Sequence, residues 1–181
     1  MRFEALTADE ALWAVVYDGE EQNAFDLTFD KWFDAKWLRD FFEEHLNDLK
    51  SFFKITDIDR AIFDTLSEAN SLQCLILDMR TSLEDLFRPL EPYRTAEMTL
   101  GREKAKGRSR THASWLRLYA VKLQPNRYII TGGAIKLTAT MQEREHTLEE
   151  LKKLNKVRDH LLSDGVIDYD GFKTMINDQT D

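Results

Sequence analysis

The stretch of sequence that decides the fold runs Ser114-Trp-Leu-Arg-Leu-Tyr-Ala-Val-Lys-Leu123, Gln124-Pro-Asn126, Arg127-Tyr-Ile-Ile-Thr-Gly-Gly-Ala-Ile135. In its first part, successive side chains divide into the two faces of a strand. A short polar connection separates it from a second part rich in β-branched and aromatic residues. This pattern predicts an antiparallel β-hairpin. Gly132 and Gly133 lie inside the second strand, where glycine indicates a bulge or the close approach of another backbone.

Alternation along the first strand predicts that Trp115, Arg117 and Tyr119 share one face of the hairpin. Aromatic side chains at this spacing have two roles open to them. They either pack in the core, which is the commoner outcome for a residue such as Trp115, or they stay accessible and stack on bases. The sequence leaves both alternatives open.

Outside the hairpin, strand patterns and helix patterns fall in separate blocks. The other predicted elements are a strand over residues 11–17, helices over 24–34, 34–53 and 56–79, a strand over 86–90, a helix over 147–164 that begins at a Thr147/Glu150 capping box, and a short helix from about residue 170. This order predicts an α+β fold in which a small, mostly antiparallel sheet packs its helices on one face. We expect a single domain over residues 1–181, with an N-terminal helical pair and a C-terminal helix beside the sheet.

The net charge of −8 conceals an uneven distribution. Residues 1–87 carry a net charge of −12, residues 88–136 carry +8 and residues 137–181 carry −4. The densest basic run is Arg102 to Arg110, and aromatic residues flank it, among them Tyr93 and Tyr128. Such a segment indicates a polyanion site, a contact with the acidic part of the chain or of a partner, or simply a solvated basic loop. Acidity of the whole chain therefore does not exclude a nucleic-acid partner.

Several classes of protein are excluded or left without support. The one cysteine, Cys74, allows no internal disulfide and no multi-cysteine zinc motif, and its apolar helix predicts a buried structural thiol. The four histidines form no metal-binding spacing, so we expect neither a metal nor a cofactor. No apolar run reaches the roughly 20 residues of a membrane span, and the N-terminus does not read as a signal peptide, so we expect a cytoplasmic protein without a membrane partner.

The middle of the chain contains two short motifs, Leu86-Phe87-Arg88 and Trp115-Leu-Arg117-Leu-Tyr119, followed by the strand over 128–138 that contains Lys136. This series resembles the RelE/HigB toxins of type II toxin–antitoxin systems, in particular the phage-related HigB branch. The helix that opens around Glu143-Arg-Glu-His146 resembles the one that follows in that branch. The chain departs from the family pattern in its long acidic helical part and in having Leu137 where the branch usually has a second lysine.

The resemblance implies a toxin that inhibits translation as a metal-independent mRNA endoribonuclease, with no cofactor. The implied partners are mRNA, the ribosome and a cognate antitoxin of the helix-turn-helix class. Arg88 and Arg117 match family positions that would hold the phosphate, and Lys136 matches a position for a phosphate contact or a proton transfer. The alternative is an interaction or nucleic-acid-binding protein on the same scaffold that does not cut RNA.

Chemistry alone adds further candidates. His112 precedes the Trp115 strand, and its near-neutral pKa suits a general acid or base, although an ordinary half-exposed histidine is the commoner case. Trp115 and Tyr119 are the candidates for base stacking. Four further cations are candidates for contacts along the RNA backbone: Lys104, Lys106, Arg108 and Arg110. Arg88 and Arg117 instead pair with carboxylates of the acidic helices if the basic segment is an internal contact.

Overall fold

The predicted hairpin is confirmed and lies at the centre of a six-stranded sheet in the computed structural model, which describes residues 1–78, 80–91 and 99–180. Its strands are Leu116–Gln124 and Arg127–Ile135, joined by a two-residue turn in which Asn126 has a positive φ of 59°. The register shifts between Tyr119 and Ala120, so the second strand contains the bulge that its glycines predicted.

Four more strands complete the sheet. In chain order the strands are β1 (Arg2–Ala5), β2 (Leu12–Val16), β3 (Phe87–Pro89), β4 (Gly101–Lys106), β5 (Leu116–Gln124) and β6 (Arg127–Ile135), and their spatial order is β1-β2-β6-β5-β4-β3. All neighbours are antiparallel except β2 and β6, which run parallel over Leu12–Ala14 and Tyr128–Ile130. The mostly antiparallel α+β fold is therefore confirmed.

The acidic N-terminal part supplies five of the seven helices among the described residues. These seven are α1 (Ala24–Phe33), α2 (Ala35–Glu44), α3 (Leu46–Phe53), α4 (Ile58–Leu77), the single turn α5 (Leu83–Leu86), α6 (Glu145–Ser163) and α7 (Tyr169–Thr180). Asn23 and Asp34 cap α1 and α2 with their side chains, because each accepts a hydrogen bond from a backbone N–H of the first turn. The helix predicted over 34–53 is broken at His45.

Two helix starts differ from the prediction. The cap of α4 is Asp57, which accepts from the N–H of Arg60, and not Thr56. Helix α6 begins at Glu145, two residues before the predicted cap Thr147, whose buried hydroxyl donates instead to the carbonyl of Met141. The capping box that the region does contain belongs to a short 3-10 turn over Met141–Glu143, where Thr140 pairs with Glu143. Met79, the predicted end of α4, lies outside the described residues.

Helices cover both faces of the sheet, and the expectation that they share one face is wrong. Leu116, Leu118 and Ala120 of β5 pack with the N-terminal helices, whereas Tyr119 and Val121 pack on the opposite face with α6 and α7. Strand β2 is also covered on both faces, because all five of its residues, Leu-Trp-Ala-Val-Val, are buried. None of the described helices combines the length and the apolar content that a membrane crossing requires.

Two local expectations are corrected by the packing. Residues 101–106 form strand β4 rather than part of a basic loop, with Glu103 and Ala105 buried on one face and three cations on the other. Cys74 lies on the outer side of α4 and is exposed, so it is not a buried structural thiol.

Gly133 is the point where α1 packs against β6. A Cβ built on this residue would lie 2.6 Å from Cγ2 of Thr28, 2.9 Å from the carbonyl oxygen of Arg117 and 3.0 Å from Cζ2 of Trp32. Because two of these atoms belong to buried side chains and one to a strand backbone, none can move aside easily.

We therefore predict that Gly133→Ala lowers the free energy of unfolding by about 1–3 kcal/mol, the usual cost of overpacking. Gly101→Ala is the matched control, since its Cβ would have its nearest neighbour at 3.5 Å, and it should change stability by less than about 0.5 kcal/mol. Urea unfolding of both variants provides the measurement. Equal stability of Gly133→Ala and wild type would contradict the packing described.

Candidate polyanion-binding cleft

Strand register gathers the cations on one face of the sheet. In the antiparallel pairing of β4 with β5, Lys104 lies opposite Tyr119 and Lys106 lies opposite Arg117, and directly opposed residues share a face. Arg102, opposite Val121, belongs to the same face. Lys136 follows directly after β6, whose last residues pair with the start of β5. We call these five cations, Arg102, Lys104, Lys106, Arg117 and Lys136, the basic cleft.

The basic cleft is an indentation of about 410 Å³ between the sheet and the segment that leads into α6. The other described residues that line it are Leu90, Glu91, Tyr119, Ala139, Thr140, Met141, Gln142 and Leu151. They come from β5, from the two residues after β3, from the segment that leads into α6 and from α6 itself. The acidic helices α1 to α4 pack on the opposite face of the sheet. Among the described residues, therefore, these helices do not cover the basic cleft.

Most cations of the cleft are held by neutral oxygens. Arg117 donates to the carbonyl oxygens of Ser114 and Leu116 at 2.7 and 2.8 Å, and Lys104 donates to that of Leu90 at 3.1 Å. Lys136 donates to the carbonyls of two residues in the loop that follows it, at 2.8 and 2.6 Å. Such bonds fix the position of a cation without neutralising its charge. Arg102 differs, because it pairs with Glu91 and with the side-chain amide of Asn155.

The accumulated charge appears in the pKa values of the lysines. Burial lowers the pKa of Lys104 below its usual range, and the charges of Lys106 and Arg117 lower it further. The pKa of Lys136 is lowered in the same way, by burial first and then by Arg117 and Lys104. A bound anion would offset these repulsions, so the electrostatics of the cleft favour an anionic ligand.

Tyr119 forms part of the floor of the cleft. It is 1% exposed, and its hydroxyl has no hydrogen-bond partner among the described residues. Burial raises the pKa of this hydroxyl, so it remains a protonated donor. A buried donor without an acceptor costs free energy, and an anionic ligand in the cleft would supply the acceptor. The ring is too deeply buried to stack on a base, which corrects that part of the prediction.

Trp115 is a core residue and does not belong to the cleft. It precedes β5, is fully buried and packs on the face of the N-terminal helices, where its Nε1 donates to Oγ1 of Thr65 at 2.9 Å. Its ring also lies edge-on to Phe42. Base stacking by Trp115 is therefore excluded, and its predicted location on the face of Arg117 is wrong.

His112 also lies away from the cleft. Its ring stacks on Trp115 at 4.0 Å between centroids, and its Nε2 lies 3.1 Å from Oδ2 of Asp64, on helix α4. Its Nδ1 faces the carbonyl of Ala113 at 2.8 Å. Both ring nitrogens thus face oxygens. On the face opposite to Lys104 and Arg117, His112 cannot reach a phosphate bound by them, so it is not their general acid or base.

The remaining predicted cations are dispersed. Arg88 lies on the edge strand β3, opposite Lys104, but its guanidinium turns back to the carbonyls of Glu84 and Phe87 at 2.7 and 3.0 Å. Arg108 and Arg110 are exposed in the loop after β4. None of the three lines the basic cleft as the described residues form it. Tyr93 lies outside the described residues.

One member of the cleft escaped the sequence-based assignment of sites. Arg102 was part of the basic run but not of the predicted binding set. The spacing of the cations at 102, 104 and 106 could have identified it as a residue on the same face of a strand. A period of two residues is the period of a strand. In the part of the chain that the structure describes, no group of three or more His, Cys, Asp or Glu side chains is placed to hold a metal ion.

The comparisons with known proteins return no relative for this chain: no family model, no curated protein and no solved structure matches it.

The different positions of Trp115 and Tyr119 predict different effects of substitution on stability. Trp115→Ala should lower the free energy of unfolding by about 3–5 kcal/mol, because it leaves a large cavity and removes the partner of Thr65. Tyr119→Phe should leave stability unchanged or slightly raised, because it removes a buried hydroxyl that has no partner. Urea unfolding followed by circular dichroism measures both. A clear loss of stability in Tyr119→Phe would mean that its hydroxyl is bonded in the free protein.

Proposed function

We propose that the basic cleft binds the phosphodiester backbone of single-stranded RNA. The observation that carries this proposal is that Lys104, Arg117 and Lys136 converge on one cleft while donating to carbonyl oxygens, with no carboxylate of the described residues bonded to them. Fixed cations of this kind stabilise an anion without having to reorganise. Of the polyanions, RNA is the one that the resemblance to the RelE/HigB toxins implies.

The cleft favours contact with the backbone over reading of bases. Lysine and arginine side chains contact phosphate oxygens, and the Tyr119 hydroxyl adds a donor at the floor. Among the described residues, the apolar part of the lining consists of aliphatic side chains such as Leu90 and Leu151, and no accessible aromatic ring belongs to it. Binding should therefore depend strongly on salt and weakly on sequence.

The finer proposal is that the chain is a RelE/HigB-like toxin that cleaves mRNA. In such a cleavage a base removes the proton of a 2′-hydroxyl, the 2′-oxygen bonds to phosphorus, the bond to the 5′-oxygen breaks and an acid returns a proton to that oxygen. Arg117 would stabilise the phosphorane. Lys136 would transfer protons with Lys104 as its counterpart, since the lowered pKa of each makes its ammonium a stronger acid than that of an ordinary lysine.

Binding without cleavage is the second candidate, and the position of His112 favours it. The imidazole of His112, the general acid or base that the sequence suggested, is bonded to Asp64 on the other face of the sheet. Cleavage then depends on two lysines alone. In the non-catalytic alternative the same five cations hold RNA, and the toxin's effect on translation is absent.

The binding proposal predicts a contrast between cations inside and outside the cleft. Lys104→Gln and Arg117→Ala should each weaken binding of a single-stranded RNA oligonucleotide about tenfold, the loss of roughly one charged hydrogen bond, and reduce the slope of log K against log salt by about 0.7. Arg108→Ala and Arg110→Ala are matched controls from the exposed loop and should have less than about a twofold effect at moderate salt. Filter binding measures all four, after unfolding curves confirm that each variant is folded. If the loop variants lose as much affinity as the cleft variants, the cleft is not the site.

The cleavage proposal predicts products and a phenotype. Incubation with RNA should yield fragments that end in a 2′,3′-cyclic phosphate and begin with a 5′-hydroxyl, and induced expression should arrest growth. Lys136→Gln should reduce the cleavage rate by about two orders of magnitude or more, as loss of a general acid or base does, while RNA binding falls far less. Binding without fragments, together with growth that induction leaves unchanged, would establish the non-catalytic alternative.

A further inference from the structure

A second, larger cleft lies on the other side of α6, where β6 extends beyond the end of its pairing with β2. The parallel pairing with β2 ends at Ile130. Beyond it the carbonyl oxygen of Thr131 accepts from the hydroxyl of Tyr17 at 2.6 Å, and that of Ile135 lies 2.8 Å from Nε2 of His146. The side chains of Tyr17 and His146 thus contact carbonyl groups of β6 that a neighbouring strand would otherwise bond. Helices α1, α2 and α6 enclose the space beside this part of β6. We call this space the acidic cleft.

The acidic cleft has the size and the walls of a ligand site. Its volume is about 880 Å³, within the range of pockets that bind small molecules. Four aromatic side chains line it, namely Tyr17, Trp32, Trp37 and Phe41. Trp37 and Phe41 stack at 5.5 Å between centroids, so one wall presents π-surface. Gly132 and Gly133 contribute backbone without side chains to the floor.

The charge of the lining is negative. Six carboxylates line the cleft, those of Glu20, Asp40, Glu44, Glu145, Glu149 and Glu150, against the three cations Lys31, Arg144 and Lys153. Arg144 is already neutralised by both carboxylate oxygens of Asp48 outside the cleft, and Lys153 by Glu150. Asp40 and Glu149 are paired in turn with Lys36 and Lys152, so the excess negative charge of the lining comes from Glu20, Glu44 and Glu145. Burial, with the neighbouring His146, lowers the pKa of His45, so this imidazole adds no positive charge at neutral pH. An anionic or neutral polar ligand finds little complementarity here.

The protein itself already holds one alkylammonium group in this environment. Nζ of Lys153 lies 2.9 Å from Oε1 of Glu150 and 5.8 Å above the ring of Tyr17, between a carboxylate and an aromatic face. The second oxygen of Glu150 is buried and has no partner among the described residues, lying where a Cβ on Gly132 would collide with it. Carboxylate and π-face together are the usual surroundings of a bound organic cation.

We propose that the acidic cleft binds a linear aliphatic polyamine. Such a molecule carries several ammonium groups separated by methylene chains, so its charges suit the carboxylates of Glu44, Glu145 and Glu20 while its apolar segments suit the aromatic wall. A compact monovalent cation would leave most of that wall uncovered. The site is separate from the basic cleft, with different lining residues, and the inference does not depend on RNA binding.

Isothermal titration of the full chain with spermidine at low salt tests the proposal, and neighbouring residues provide the controls. Glu44→Gln removes a carboxylate of the lining and should weaken binding about two- to fivefold, the worth of an exposed ion pair. Glu43→Gln, the adjacent residue on α2 outside the lining, should leave it unchanged. Trp37→Leu should weaken binding about two- to fivefold because it removes part of the aromatic wall that the methylene segments cover, whereas Phe33→Leu, on the exposed end of α1, should not.

The pattern of the four variants decides the outcome. A single saturable site that Glu44→Gln and Trp37→Leu weaken, with both controls at the wild-type value, supports the acidic cleft as the site. Equal weakening by Glu43→Gln and Glu44→Gln would show that spermidine binds only the general negative charge of the chain and would overturn the proposal. Absence of saturable binding would overturn it as well.

Discussion

The register of β4 against β5 is the constraint on which the basic cleft depends. It sets Lys106 directly opposite Arg117 and Lys104 between Arg102 and Lys106 on one face of the sheet. Like charges directly opposite each other destabilise a sheet, and burial of Lys104 and Arg117 adds a desolvation cost. Packing on the other face offsets this cost, because Ala105 is fully buried in the core under the N-terminal helices. An anion bound in the basic cleft would remove the repulsion between these cations.

The rigidity of β5 follows from burial on both of its faces. Leu116 and Leu118 are anchored under the N-terminal helices, and Val121 is anchored under α6 and α7. Trp115 extends this anchor to α4 through its bond to Thr65, and His112 connects the preceding loop to Asp64 of the same helix. Arg117 thus projects from a strand that packing holds in place, and its guanidinium is oriented by two carbonyls. Preorganisation of this kind is what anion recognition requires.

The sequence predicted the elements whose pattern is local. Alternation identified β5 and β6, and side-chain caps located α1 and α2. It missed β4 because Arg-Glu-Lys-Ala-Lys has the composition of a loop, and only tertiary burial of Glu103 and Ala105 makes it a strand. It misplaced Trp115 because β5 begins one residue later, so the alternation does not extend back to it. Arg117, Lys104, Lys106, Lys136 and Tyr119 were predicted and do converge, whereas the location of His112 depends on a contact 48 residues away in sequence, which no local pattern encodes.

The sheet separates the cations of the basic cleft from the acidic helices. Helices α1 to α4 cover one face, the cleft cations of β4 and β5 project from the other, and a negative net charge therefore coexists with a positive cleft. The most direct test is a crystal structure with a short RNA oligonucleotide whose 2′-hydroxyls are methylated to prevent cleavage. The account predicts a backbone phosphate in the basic cleft with oxygens about 3 Å from Lys104, Arg117 and Lys136. An oligonucleotide bound through Arg108 and Arg110, with the basic cleft unoccupied, would contradict it.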